Sequence, residues 1–446
     1  MTTRMKRLQG GRKWMSLVMS LMIVFVSVVT FVPGGGVASA SGLWTRIDGG
    51  GLNANPPYGA SRPNAVVYGD ALFVVWQENG KIRAKKYEDG IWSPVDGGVG
   101  LNVDPAHTAE QPKLAVFDDG LYASWSENNS SYSQIRVKKY ISDGVWAVVD
   151  GGSGLNVSSS TGYAPDLAAF DGALYATWYE GPGGYKAQVK KYNGAVWTSV
   201  VEGPGLTLAS GNVNNPKLAV FDDSLFITWQ ENLSAYPSPS QSYIPVKRYG
   251  GETTWSDTND GNGLNSDPNM SAAFPRLVTF GDRLFATWRE SNGTGLQVRV
   301  KVYDNVSGWT WADGGGLNAD PSRTALSPAM TVYNNSLYAI WPELNANSTA
   351  QVRVKKYDGT GWSFVDGGTG LNADPSKPAA DPILAAFGNG LYAVWAEGNQ
   401  IRVARYEEGV PSDPNQAPTV SGVTVSGTAQ VGQTLAGRSE EHTSEL

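Results

Sequence analysis

The sequence holds no cysteine and only two histidines among 446 residues. Disulfides, thiolate metal sites and thiol nucleophiles are therefore excluded. His442 falls in an atypical terminal stretch, which leaves His107, beside Thr108 and Glu110, as the one imidazole to consider. A lone loop histidine is more often solvated than reactive. No Gly-x-Ser-x-Gly elbow, His-Glu-x-x-His pair or Ser-x-Asp-x-Gly-x-x-Trp box occurs. Charge is sparse, at 17% of residues, and no basic run follows residue 40. Nucleic acid and anionic membrane surfaces are thus not expected partners.

The one long apolar run lies at the start. "MTTRMKRLQGGRKW" carries five basic residues and no acid, and "MSLVMSLMIVFVSVVTFV" follows. The small-x-small triplet Ala38-Ser39-Ala40 then matches a signal-peptidase site, so residues 1–40 are read as a signal peptide cleaved after Ala40. Eighteen apolar residues would also just span a bilayer. The cleavage site favours a secreted or cell-surface chain, with the membrane involved only through export. What remains has 29 Lys+Arg against 41 Asp+Glu, a charge of -12.

Glycine (54) and proline (25) are abundant, and with Asn and Asp they punctuate short Val- and aromatic-rich segments, a pattern of strands and turns. A Trp-x-Glu motif recurs seven times, at Trp76/Glu78, Trp125/Glu127, Trp178/Glu180, Trp229/Glu231, Trp288/Glu290, Trp341/Glu343 and Trp395/Glu397. Its tryptophans stand 49, 53, 51, 59, 53 and 54 residues apart. A second tryptophan precedes each "DGG-GLN" type loop, at Trp44, Trp92, Trp146, Trp197, Trp255, Trp309 and Trp362. Each unit carries four strand-like segments, such as "PKLAVF", "LYASWSE", "QIRVKKY" and "VWAVVD". Four antiparallel strands per unit and seven units predict an all-β, seven-bladed β-propeller over residues 41–406, expected to be monomeric.

The seventh unit stops after its third segment, "IRVARY", while "GLWTRID" at residues 42–48 has no unit before it. Pairing the two would complete the last blade and close the ring without a covalent staple. Residues 407–416 read as a linker. Residues 417–437, "APTVSGVTVSGTAQVGQTLAG", resemble the opening of bacterial immunoglobulin-like modules, a truncated start of a β-sandwich. "RSEEHTSEL", residues 438–446, is similar to the translation of a common sequencing adapter and is read as an artefact. The "GLYA-W-E…QIRVKKY-G-W" units resemble largely uncharacterised β-propeller repeat proteins exported by Gram-positive bacteria. That resemblance implies architecture and brings no activity.

The Trp-x-Glu motif closes the second strand at the face that bears the long loops. Period-two alternation puts Trp and Glu on one side of that strand. The next strand opens with Arg83, Arg136, Arg299, Arg353 or Arg402, and with Gln188 and Pro245 in the third and fourth units. Indole, carboxylate and guanidinium at one rim suit a sugar: the ring stacks, and its hydroxyls are shared between acceptor and donors. The arrangement is similar to propeller lectins. The competing reading makes the Trp inter-blade core and the Glu–Arg pair a cross-strand ion pair; Glu180 and Glu231 persist without the arginine and could instead cap backbone amides. No catalytic residue is assigned. Calcium is the cofactor the "DGGGLNADP" loops suggest, but Asp48, Asp313 and Asp366 lack a ligand rhythm and turn chemistry explains them. No metal or other cofactor is therefore assigned.

The expectation is an exported, non-enzymatic, lectin-like binding module whose partner is a glycan or surface polymer. One alternative is a secreted polysaccharide-degrading enzyme, glycosidase or lyase, using rim carboxylates. The other is a protein–protein scaffold. An enzyme should break the sevenfold symmetry with unique residues in one sector.

Overall fold

The computed structural model describes residues 42–408, except 208–210, 233–240 and 260–262. The signal peptide, the immunoglobulin-like segment, the adapter-like terminus and all but the first two residues of the linker lie outside the described residues. So does most of the fourth unit's long loop. The described elements are all strands, arranged in seven antiparallel sheets.

Blade 1 is representative, with strands Ala60–Tyr68, Ala71–Glu78, Lys81–Glu88 and Ile91–Pro94 in that order across the sheet. The first strands of neighbouring blades pack against one another around the axis, and the fourth lie outside. The second strand, "ALFVVWQE", is buried on both faces because a blade is sandwiched between two others. Seven apolar clusters make up the core, and each spans two adjacent blades. In blade 4 Pro245 divides the third strand into Ser242–Tyr243 and Val246–Gly251, since proline cannot donate to the ladder.

The ring closes as the sequence implies. Leu43–Arg46 pairs with Gln400–Glu407 in the register Leu43↔Glu407 to Arg46↔Ala404, so blade 7 takes its outer strand from the far end of the chain. The Trp44 indole packs at a tilt against Tyr406, 5.0 Å between ring centres, and donates its N–H to the Val365 carbonyl of blade 6 at 2.8 Å. The same device repeats elsewhere: Trp92, Trp146, Trp197, Trp255 and Trp362 each donate to a carbonyl of the preceding blade, and Trp309 to the Thr258 hydroxyl.

Candidate functional site: the axial channel

The expected rim set takes a different role once placed in the fold. All seven tryptophans of the Trp-x-Glu motif are 0% exposed. Each indole N–H donates to the glutamate two residues on, at 2.6–2.9 Å, in every one of the seven blades. The glutamates are buried too, and in six blades their carboxylate oxygens also accept backbone N–H groups from the loop that enters the same blade. Glu127, for example, takes Val103 and Asp104 at 2.8 Å, and Glu397 takes Ala373 and Asp374. Glu78, Glu180, Glu290 and Glu343 do the same, and Glu231 accepts from the Thr207 hydroxyl. Orphan loop amides need an acceptor wherever water is excluded, and here the carboxylate supplies it.

Nor do the arginines pair with these glutamates. Arg83, Arg136, Arg299, Arg353 and Arg402 bind Asp96, Asp150, Asp313, Asp366 and Asp48 at 2.6–3.4 Å. Those aspartates also accept backbone amides, such as Gly152 and Val137 for Asp150. The loop oxygens that suggested calcium are thus engaged by protein donors. The asparagine of each "GLN" loop acts alike: Asn102 accepts from Ile82 and donates to Gly80 and His107 carbonyls. His107 itself sits at the surface against Ser130. Trp, Glu, Arg, Asp and Asn together bind each blade to the next, and the indoles present no face to a ligand.

Function therefore has to be sought where the repeat varies. Each first strand begins with an x-Pro-x step: Arg62-Pro63-Asn64, Gln111-Pro112-Lys113, Ala164-Pro165-Asp166, Asn215-Pro216-Lys217, Phe274-Pro275-Arg276, Ser327-Pro328-Ala329 and Asp381-Pro382-Ile383. In six blades the pairing register slips at this step, a β-bulge. The residue before proline there is left-handed, with φ from +48° to +59° at Arg62, Gln111, Ala164, Asn215, Phe274 and Asp381. A non-glycine residue so held costs about 1–3 kcal/mol, and such positions concentrate where a fold re-aims side chains for use. The innermost strand has a free edge on the axis, so proline removes no ladder bond there.

These seven steps line the axial channel, which opens on the long-loop face in a cavity of about 460 Å³ and continues into a second of about 160 Å³. The residues after proline differ from blade to blade. Asn64 and Asp166 accept the Leu114 and Leu218 amides of the next blade at 2.8 and 3.0 Å. Lys113, Lys217 and Arg276 bring three cations into the lumen, with Asp166 and Asp381 as the carboxylates within electrostatic reach. Burial pulls the Lys113 ammonium well below the usual lysine range, and Arg276 and Lys217 push it further the same way. Burial likewise brings Lys217 down to about 8, with Asp166 opposing the shift. Lys217 rests its ammonium on the Pro216 carbonyl at 2.8 Å.

Blade 3 adds an aromatic wall that no other blade has at this position. Tyr179, which lines the cavity, lies 5.4 Å from Tyr163 and 5.2 Å from Tyr185 between ring centres. Burial pushes its hydroxyl up to about 12. Across the mouth, the Arg289 guanidinium covers the Phe274 ring at 4.6 Å, and Arg62 pairs with Glu110. The channel residues were missed by the sequence reading, although seven aligned prolines inside strands are a visible bulge signal.

No family model and no curated protein matches the sequence. Solved structures do. An α-L-arabinofuranosidase, Arb93A from Fusarium graminearum, is 16% identical at a TM-score of 0.44, covering 72% of this chain and 97% of that one. The polysaccharide lyase Uly1 is 11% identical at a TM-score of 0.48, covering 77% and 89%. An α-L-arabinanase mutant from Cellvibrio cellulosa is 14% identical at a TM-score of 0.36, covering 56% and 94%. The non-enzymatic lectin-like reading is corrected accordingly. Its seven stacking indoles are core and offer no ring face to a sugar. Likeness at these scores places no residue, so the site rests on the channel's own geometry.

Proposed function

We propose that the protein is a polysaccharide-degrading enzyme whose site is the mouth of the axial channel. The observation that carries this reading is the contrast in symmetry: the Trp–Glu pair that joins the blades repeats in all seven, whereas the steps around the prolines bring Lys113, Lys217, Arg276 and Asp381 to the first cavity of the channel and Asp166 to the second. Convergent polar groups with displaced pKa values in the main concavity are the general mark of a chemically active site. Tyr179, with Tyr163 and Tyr185 packed against it, supplies the aromatic ring in the cavity on which a pyranose or furanose would stack. We infer the same setting as the sequence reading: an exported protein of Gram-positive type that meets its glycan outside the cell.

The test is time-dependent release of reducing ends from a panel of neutral and acidic polysaccharides by the purified protein. The reading expects turnover at one site per chain, lost in Arg276→Ala with the ring still folded. A folded ring that cleaves nothing, or that binds seven equivalent ligands, would overturn it.

A further inference from the structure

The middle residue of each Trp-x-Glu motif points away from the buried pair, by the alternation of the strand. It is aromatic in blade 3, at Tyr179, and charged in blade 5, at Arg289; elsewhere it is Gln, Ser, Pro or Ala. Arg289 is unusual in a second way. Among the described residues, Arg276 and Arg289 are the arginines that make no hydrogen bond and no ion pair. Each of the others has a carboxylate, carbonyl or hydroxyl partner.

Both stand on blade 5, Arg276 on the strand Ala272–Phe280 and Arg289 on the strand Arg283–Ser291. The ladder holds Arg289 opposite Ala273 and Arg276 opposite Thr287, with the bulge between these two pairs. Phe274, in the bulge, carries the Arg289 guanidinium on its ring at 4.6 Å and lines the axial cavity together with Arg276. Arg289 also borders a side cavity of about 300 Å³, which blades 4 and 5 form with Gln230, Asn232, Ser242 and Ser271. Phe274 and Arg289 thus link the side cavity to the axial one.

A guanidinium keeps its proton, so the charge at both positions is fixed. Stacking on an aromatic ring uses the flat side of the fork and leaves the N–H donors at its edge, where two oxygens of one anion match them. Burial disfavours the charge of Arg289, and no carboxylate of the chain offsets that. Asp166 and Asp381 lie within electrostatic reach of Arg276 but form no bond with it.

We propose that the side cavity is a subsite for an acidic sugar residue, whose oxyanion the Arg289 fork binds, and that an acidic polysaccharide runs from there over Phe274 to Arg276 in the axial cavity. This rests on the reading of the mouth as a degradative site. The carboxylate of a uronate and a sulfate ester present the same pair of oxygens to the fork. The Gln230 and Asn232 amides in the side cavity are polar partners for the hydroxyls of the same sugar.

The experiment titrates the purified protein by calorimetry with an oligogalacturonate, a sulfated galactan oligomer, and their carboxyl-reduced and desulfated counterparts. Reducing ends released from the corresponding polymers are followed alongside. An acidic oligomer is expected to bind on the order of 10-fold tighter than its neutral counterpart, with an affinity that falls as salt is added. The acidic oligomer that binds identifies the oxyanion. Arg289→Ala should weaken it about 10-fold. Arg289→Lys should restore only part of the loss, because a point charge replaces the fork. Melting curves confirm that both variants are folded. A protein that binds neither acidic oligomer tighter than its neutral counterpart, or whose acidic binding Arg289→Ala leaves unchanged, would overturn the subsite; cleavage of a neutral polymer would then leave the degradative reading standing. Acidic binding that needs Arg289, in a folded ring that cleaves no polymer, would take down the degradative reading and support the subsite.

Discussion

Two rings of residues, both at the long-loop end of the propeller, differ in every respect that matters for function. The Trp–Glu ring is the same in all seven blades, fully buried and fully hydrogen-bonded. The axial ring changes identity from blade to blade, holds lysines whose charged form burial disfavours, and in six blades is built on left-handed residues. In a molecule made of repeats, sameness marks what each blade needs to join its neighbour. Difference marks what the assembled ring is for. The comparison makes a thermodynamic forecast: removing a member of the first ring destabilises, and removing a buried cation of the second stabilises.

The largest effect is expected in the mortar. Glu127→Ala strips acceptors from the Trp125 indole and from the Val103 and Asp104 amides, three donors in one step. Leaving them unpaired should cost about 3–5 kcal/mol, read from the midpoint of urea unfolding, and Glu290→Ala in blade 5 should match it. A loss under about 1 kcal/mol would put these glutamates in the class of surface charges and dissolve the contrast.

Next comes the seam. Trp44→Ala removes an indole packed on Tyr406 and its bond to Val365 where the first and last described strands meet, and should cost about 3 kcal/mol. Trp362→Ala, the equivalent position within a covalently continuous blade, is expected to cost a similar amount by the same assay. A seam variant far more damaging than its equivalent would mean that closure and not packing governs the ring's cooperativity.

The smallest effect belongs at the mouth. Arg62 and Glu110 are 42% and 36% exposed, so their ion pair is screened by solvent. Arg62→Ala should change stability by about 0–1 kcal/mol, measured by thermal melting, even though the same side chain borders the cavity. A large loss there would show that the mouth too is mortar.

Much of the architecture was legible from residues alone. Fourteen tryptophans at two repeated positions set the blade count, and the orphan "GLWTR" stretch located the closure. The rim was misread for a physical reason: period-two alternation puts Trp and Glu on one side of a strand but cannot say whether that side meets a ligand or the next blade. Glu180 and Glu231, which keep the glutamate where Gln188 and Pro245 replace arginine, already pointed to amide capping, and Val157 and Ser158 do bind Glu180. The partner of four of the five arginines was readable as an aspartate 13 or 14 residues on, as in Arg83–Asp96 and Arg136–Asp150, while Arg402 finds Asp48 across the closure. The channel cluster was not. Lys113, Lys217 and Arg276 are far apart in sequence, and only ring closure brings their strands to one axis.

The measurement that tests the account most directly is the stability of Lys217→Met as a function of pH. Lys217 is buried, and its folded-state pKa of about 8 lies below the usual 10.5. Below pH 8 the ammonium is charged in both states and the fold bears its desolvation. As pH rises from about 8 to about 10.5 the unfolded chain holds the extra proton, so the parent protein gains stability until both states are neutral. Lys217→Met is expected to be more stable than the parent at neutral pH, by on the order of 2 kcal/mol, with the advantage shrinking to nothing above about pH 10.5. A variant less stable than the parent at pH 7 would make Lys217 mortar like the glutamates, and the distinction between the two rings would fall.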